Sequence, residues 1–338
     1  MLLGGGQMPI DIARRQFISA LGSVAVAWPL GARAQQPAMP VIGFLHGGVA
    51  DGFTREMEGF RLGLKETGND ENRNVAIEFR WAEGHYDRLP GLVADLIRRN
   101  VAVIVASPTP PALAAKAATA TIPIVFELGT DPVAAGLVTS LNRPGGNITG
   151  ISNLSVALVS KRLEVMHQIV PDAMLFAVLL NPSNLATFQT ETAFAREAAA
   201  TLGIRVQFLE AGTSQEIEAA FAKAAELRAG ALVIGADPFF VSMQNETAAL
   251  AARYGLPTID IQRGFVTAGG LISYGGDFVD AYRLAGVYTG RILKEEKPAD
   301  LPVQQSTKIE MVVNLKAAKA LGITIPLAVL GRADEVIE

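Results

Sequence analysis

The residues best equipped for chemistry stand singly at the ends of short apolar runs. From the N-terminal half come His46, Ser107, Thr109 and Asp131; from the C-terminal half come Asn181, Ser183, Asn184, Asp237 and Asp260. Most are neutral hydrogen-bonding groups, with a few carboxylates among them. Hydroxyls and backbone N–H groups at helix starts suit a carboxylate, helped by the helix dipole, and a buried Asp suits an ammonium. The set is able to hold both ends of an amino acid. Asn153 and Tyr274 complete it, because both stand where the chain passes between its halves. Tyr274, with His46, Phe53 and Phe239, offers stacking partners for an aromatic ligand. Each residue also has a plainer use. Ser107, Thr109 and Ser183 sit where helix N-caps belong, Asp131-Pro132 and Asp237-Pro238 suit turns, and the aromatics suit ordinary packing.

Catalytic and cofactor motifs are missing. Gly145 and Gly150 have the spacing of a phosphate-binding loop, but Ile151 stands where the lysine is required. No Gly-x-Gly-x-x-Gly follows a strand and opens a helix, and no Gly-x-Ser-x-Gly elbow occurs. His46, His85 and His167 are scattered and form no metal-ligand pattern, and there is no cysteine for a disulfide, a thiolate site or a lipid anchor. The net charge of −4 carries no basic block, which argues against nucleic acid. These features predict a binding protein with no catalytic residue, metal or cofactor.

The elements that position the candidate residues are α/β units. At 338 residues the chain is too long for one comfortable core. Val41–Leu45, Val75–Ala82, Val101–Ala106 and Pro123–Leu128 read as strands separated by helical stretches, the last followed by a further helix up to Leu141. After Asn142–Asn153, a Gly- and Pro-rich turn leading into a short strand, the same alternation resumes with Leu175–Leu180, Arg205–Glu210, Ala231–Gly235 and Pro257–Ile261. The fold expected is α/β: two doubly wound parallel-sheet lobes joined by a hinge. Residues 35–153 with about 275–303 make lobe 1, and 154–274 with about 304–338 make lobe 2. Such sheets bind ligands beyond the carboxyl ends of their strands, where the candidate residues lie.

Residues 1–34 read as an export signal. Arg14-Arg15 precede Phe17–Leu30, an uncharged and mostly apolar run too short to span a bilayer, and Ala32-Arg33-Ala34 is a cleavage site before Gln35. The paired arginines resemble the twin-arginine signal, with ordinary secretion as the alternative. Met8 is an alternative start to Met1. The location expected is the periplasm, with no membrane anchor.

Several long words carry a more specific resemblance. They are Val41–Leu45, Ile122–Phe126, Asp131–Val138, Asn142–Gly150, Gly269–Gly275, Lys297–Val303 and Asn314–Gly322. With them the chain resembles the ABC transporter substrate-binding proteins of the family that includes tryptophan- and phenylalanine-binding members. The resemblance implies a type I periplasmic-binding fold, capture of a small-molecule ligand by lobe closure, and delivery to an ABC permease in the inner membrane by a monomer. It places Asp131 and Asp237 at acidic positions that recur in the family's loops. An exported sensor and an exported enzyme on the same fold remain as alternatives.

Overall fold

The computed structural model describes Met1 and residues 39–338; the export signal expected at 1–34 lies outside the described residues apart from Met1. Strand formation follows from apolar, β-branched runs between turn residues. In β3 (Val103–Ser107) successive side chains leave opposite faces, and both faces are covered. Ile104 and Ala106 pack under α2 (Leu89–Arg98) and α3 (Thr109–Ala118), whereas Val103 and Val105 pack under α1 (Thr54–Glu66) and α10 (Phe278–Leu293).

Six parallel strands form the first sheet. Their order is β11 (Gln304–Gln305), β5 (Ile148–Ser152), β4 (Ile124–Leu128), β3, β1 (Val41–His46) and β2 (Ala76–Trp81). The second sheet has seven strands, in the order β13 (Glu335–Ile337), β12 (Ile309–Asn314), β10 (Ile272–Gly276), β9 (Thr258–Asp260), β8 (Ala231–Ile234), β6 (Leu175–Leu180) and β7 (Arg205–Glu210). Within it, among the described residues, β10 and β12 are the one antiparallel pair. Along β6, Phe176, Val178 and Leu180 enter one core cluster, and Ala177 and Leu179 the other.

The chain passes between the sheets after β5, after β10 and after β11. The three passages lie side by side: Ser306 N–H donates to the Ser152 carbonyl at 2.8 Å, and Asp277 N–H to the Lys308 carbonyl at 2.9 Å. The seam falls a few residues from where the sequence reading put it. Gly275 and Gly276 still belong to β10 of the second sheet, and Gln304–Gln305 pair with β5 of the first. Two residues of pairing are too few to leave a periodic signal. The helix expected before Leu141 is also absent. Residues 132–136 form successive turns, with Gly136 at φ 69°, outside the helical region.

After β10 the chain returns to the first sheet through glycine contacts. Gly59 and Gly63 of α1 lie against the Val279 and Arg283 carbonyls of α10, and Gly286 lies against the Phe60 carbonyl. With no Cβ in the way, the two helix backbones come into direct contact. This packing brings Tyr282 over the ends of β1 and β3.

Candidate functional site

The carboxyl ends of the two sheets face each other. Between them lies an inner chamber of about 40 Å³, lined from the first lobe by His46, Phe53, Ser107, Thr109 and Glu127, and from the second by Thr187, Asp237, Val241 and Gln262. Asn153 and Phe278 lie on the passages, and Tyr282 descends from α10. An outer chamber of about 730 Å³ shares Ile261, Gln262 and Phe278 with the inner one.

One wall is a directed hydrogen-bond chain. Gly48 N–H donates to His46 Nδ1 at 2.9 Å, so the neutral ring carries its proton on Nε2. Burial keeps this ring neutral, pushing its pKa down to about 3. At the far end, Ser107 donates to Glu127 Oε2 at 2.9 Å. Ser107 must then accept from the Tyr282 hydroxyl at 2.7 Å, and Tyr282 from His46 Nε2 at 3.0 Å. Asn153 Nδ2 donates to the other oxygen, Oε1. Every proton therefore points toward Glu127. Burial raises this carboxyl to about 7, although the Ser107 and Asn153 hydrogen bonds favour its charged form.

The opposite wall centres on Asp237, the N-cap of the short helix α7 (Pro238–Ser242). Its Oδ1 accepts from Asn181 Nδ2 at 2.9 Å and from Phe239 N–H at 3.0 Å. Its Oδ2 accepts from Asn184 Nδ2 at 2.9 Å and from the Tyr86 hydroxyl at 3.1 Å. Burial raises its pKa despite these four donors. Tyr86 belongs to the first lobe, so this contact spans the cleft. A second bridge is apolar: Phe53 packs with Val241 and Ile261, flanked by Trp81, Ala236 and Phe278.

Behind the second wall, Arg162 is fully buried. Its Nη2 donates to Glu191 Oε1 at 2.8 Å, and its Nη1 to the Ser155 carbonyl at 3.2 Å. Glu191 also accepts from Ala236 N–H and so fixes the loop leading to Asp237.

Five of the sequence candidates meet at the inner chamber: His46, Ser107, Thr109, Asn153 and Asp237. Asn181 and Asn184 hold Asp237 in place. Asp260 is buried at the end of β9, where Oδ1 accepts from Gln262 N–H at 3.0 Å; burial raises its pKa to about 6. Three others lie apart. Asp131 is exposed and caps its own turn through Val133 N–H. Ser183 is exposed, its N–H donating to Asn181 Oδ1. Tyr274 packs on the core of the second sheet. The sequence reading missed Glu127, Tyr282 and Tyr86. Glu127 had a usable signal, a lone carboxylate inside the apolar run Ile124–Leu128. Tyr86 and Tyr282 reach the cleft only through tertiary packing.

The family described as ABC transporter substrate binding protein matches residues 41–337. A curated relative named tyrosine-binding protein, from Clostridioides difficile (strain R20291), is 28% identical over 264 residues, covering 78% of this chain and 75% of the relative. Among solved structures, a conserved domain protein from Vibrio cholerae superposes with a TM-score of 0.81 at 29% identity, covering 88% of this chain and 99% of that one. An ABC domain from Streptococcus pneumonia in complex with L-Trp gives a TM-score of 0.80 at 27% identity, with the same coverage. A ligand-free, open structure of a substrate-binding protein with adhesive properties from Clostridium difficile gives 0.63 at 26% identity, again covering 88% and 99%.

Proposed function

The chain belongs to the ABC transporter substrate-binding protein family, and on that premise we propose that it captures a small molecule, an amino acid or aromatic compound, between closing lobes. The solute then passes to an ABC permease in the inner membrane. The observation that carries this reading is the pair of contacts across the cleft, Tyr86 to Asp237 and Phe53 to Val241 and Ile261. They tie the lobes together around a chamber that holds polar groups from both walls. A solute touching both walls stabilises the closed arrangement, and that differential affinity is what drives closure.

The comparisons support the same reading. The chain as a whole superposes better on the tryptophan complex than on the open, ligand-free relative. The named ligands of two relatives, tyrosine and tryptophan, are aromatic amino acids, and the aromatic cluster around Phe53 suits such a side chain. The protein acts outside the inner membrane, as a single chain, without turnover of its ligand. Among the described residues no helix is long and apolar enough to cross a membrane.

Thermal unfolding against a panel of amino acids, aromatic acids, sugars and polyamines tests the proposal. A ligand at about a hundred times its dissociation constant adds roughly 2.7 kcal/mol, a shift of about 5 °C for a chain this large. A hit recovered chemically unchanged supports capture. Conversion of the hit to product would sink it in favour of an enzyme.

A further inference from the structure

The inner chamber has a charge pattern that lobe closure by itself leaves without a role. Among the described residues two carboxylates line it, Glu127 and Asp237, and no Lys or Arg does. The two are unequally satisfied. Each oxygen of Asp237 accepts two donors, and the four together occupy its accepting positions. Each oxygen of Glu127 accepts only one, from Ser107 and Asn153. Glu127 is 3% exposed, and both its donors are neutral. A buried carboxylate is held ionised by a cation or by a full set of donors, and Glu127 has neither within its own wall.

We propose that Glu127 is the recognition point for a protonated amine on the captured solute, which makes primary amines, amino acids included, the ligand class of this protein. The assignment rests on the solute-capture reading and adds to it the group that is recognised. Three features around Glu127 fit an ammonium. His46, on the same lining, presents a neutral ring and so does not compete for the carboxylate. Ser107 and Asn153 fix both carboxylate oxygens while leaving accepting positions free on each. Phe53 and Phe278, on the same lining, offer aromatic faces of the kind that attract a desolvated cation. Opposite, in the second lobe, Gln262 lines the chamber, and its Nε2 amide is buried without a partner among the described residues. A solute with an ammonium at one end and a carboxylate or carbonyl at the other would span the lobes, its amine on Glu127 and its acceptor on Gln262.

The test compares matched probes by isothermal titration calorimetry at pH 8. L-Tryptophan and L-tyrosine are each paired with tryptamine or tyramine, which keep the amine, and with indole-3-propanoate or 3-(4-hydroxyphenyl)propanoate, which lack it. On the wild-type protein the amine-free acids should bind weaker than the amino acids by on the order of 100-fold, a comparison that needs no variant to fold. Glu127→Gln should cost the amine-bearing probes a similar factor and should not weaken the amine-free acids, whose carboxylate it no longer repels, with unaltered circular dichroism. Equal binding of amine-bearing and amine-free probes, or full retention of amino-acid binding by Glu127→Gln, overturns the assignment. Aliphatic amines, each paired with its amine-free counterpart, separate the two readings. Capture of aliphatic amines alone sinks the aromatic preference but upholds Glu127. Capture of no amine-bearing probe overturns the role of Glu127, and capture of an amine-free solute then leaves solute capture itself standing.

Discussion

Tyr86 and Asp237 meet across the cleft, the tyrosine hydroxyl 3.1 Å from a carboxylate oxygen on the opposite lobe. The two residues are 151 positions apart in the chain and belong to different lobes, so the contact exists only while the lobes are together. A hydrogen bond to a charged group contributes about 1.5–3 kcal/mol. Tyr86→Phe should therefore weaken the closed arrangement and lower ligand affinity by roughly tenfold or more, with little change in the stability of either lobe. Calorimetry reads the affinity, and small-angle scattering of the ligand-free variant should show a larger radius of gyration. An unchanged radius and affinity would show that the bond does not control closure.

Glu127 makes a pH-dependent prediction. Its carboxyl is raised to about 7 from an ordinary 4.5, mainly by burial, with the nearby Glu56 adding repulsion. The folded state therefore holds this proton more tightly than the unfolded chain. The resulting cost to stability is absent below pH 4.5, grows as pH rises to 7 and is level above. Glu127→Gln removes that cost, so its stability advantage over wild type should grow by roughly 3 kcal/mol between pH 4.5 and 7.5. His46, held neutral down to about pH 3, works in the opposite sense by costing stability as pH falls below 6.5. It is present in both proteins, so comparing them at each pH cancels it. Urea unfolding across the range measures the difference, and a flat difference would count against a raised Glu127.

Arg162 and Glu191 form a fully buried ion pair, 2.8 Å apart, behind the Asp237 loop. Glu191→Ala strands the guanidinium and frees Ala236 N–H, and should destabilise the protein by about 3–5 kcal/mol. Replacing both partners by apolar residues should recover much of that loss. Denaturant unfolding of the single and double variants separates the two cases.

Gly63 lies against the Arg283 carbonyl at the contact between α1 and α10. A methyl group there must push the helices apart, so Gly63→Ala should cost about 2–4 kcal/mol despite the better helix propensity of Ala. The same change at Gly91, where among the described residues the new Cβ meets nothing within 4 Å beyond its chain neighbours and its own helix backbone, should be neutral or slightly stabilising. Equal effects at the two positions would contradict the close helix contact.

Much of this architecture was legible in the sequence because its causes are local. Apolar runs such as Val41–His46 and Val103–Ser107 alternate with amphipathic helices, and that pattern specifies covered parallel sheets with loops at the strand ends. Strand ends in turn place His46, Ser107 and Asp237 at the cleft without any knowledge of their partners. Residues such as Asp131 read the same way, because a carboxylate beside a proline has one local signature whether it caps a turn or faces a ligand. Tertiary structure alone decided which candidates converge. It directed the His46–Tyr282–Ser107 chain onto Glu127, left Asp131, Ser183 and Tyr274 outside, and joined Tyr86 to Asp237. Periodicity records which face of an element is buried. What that face meets depends on α10 crossing back to α1 and on two lobes closing, and those contacts join residues far apart in the chain.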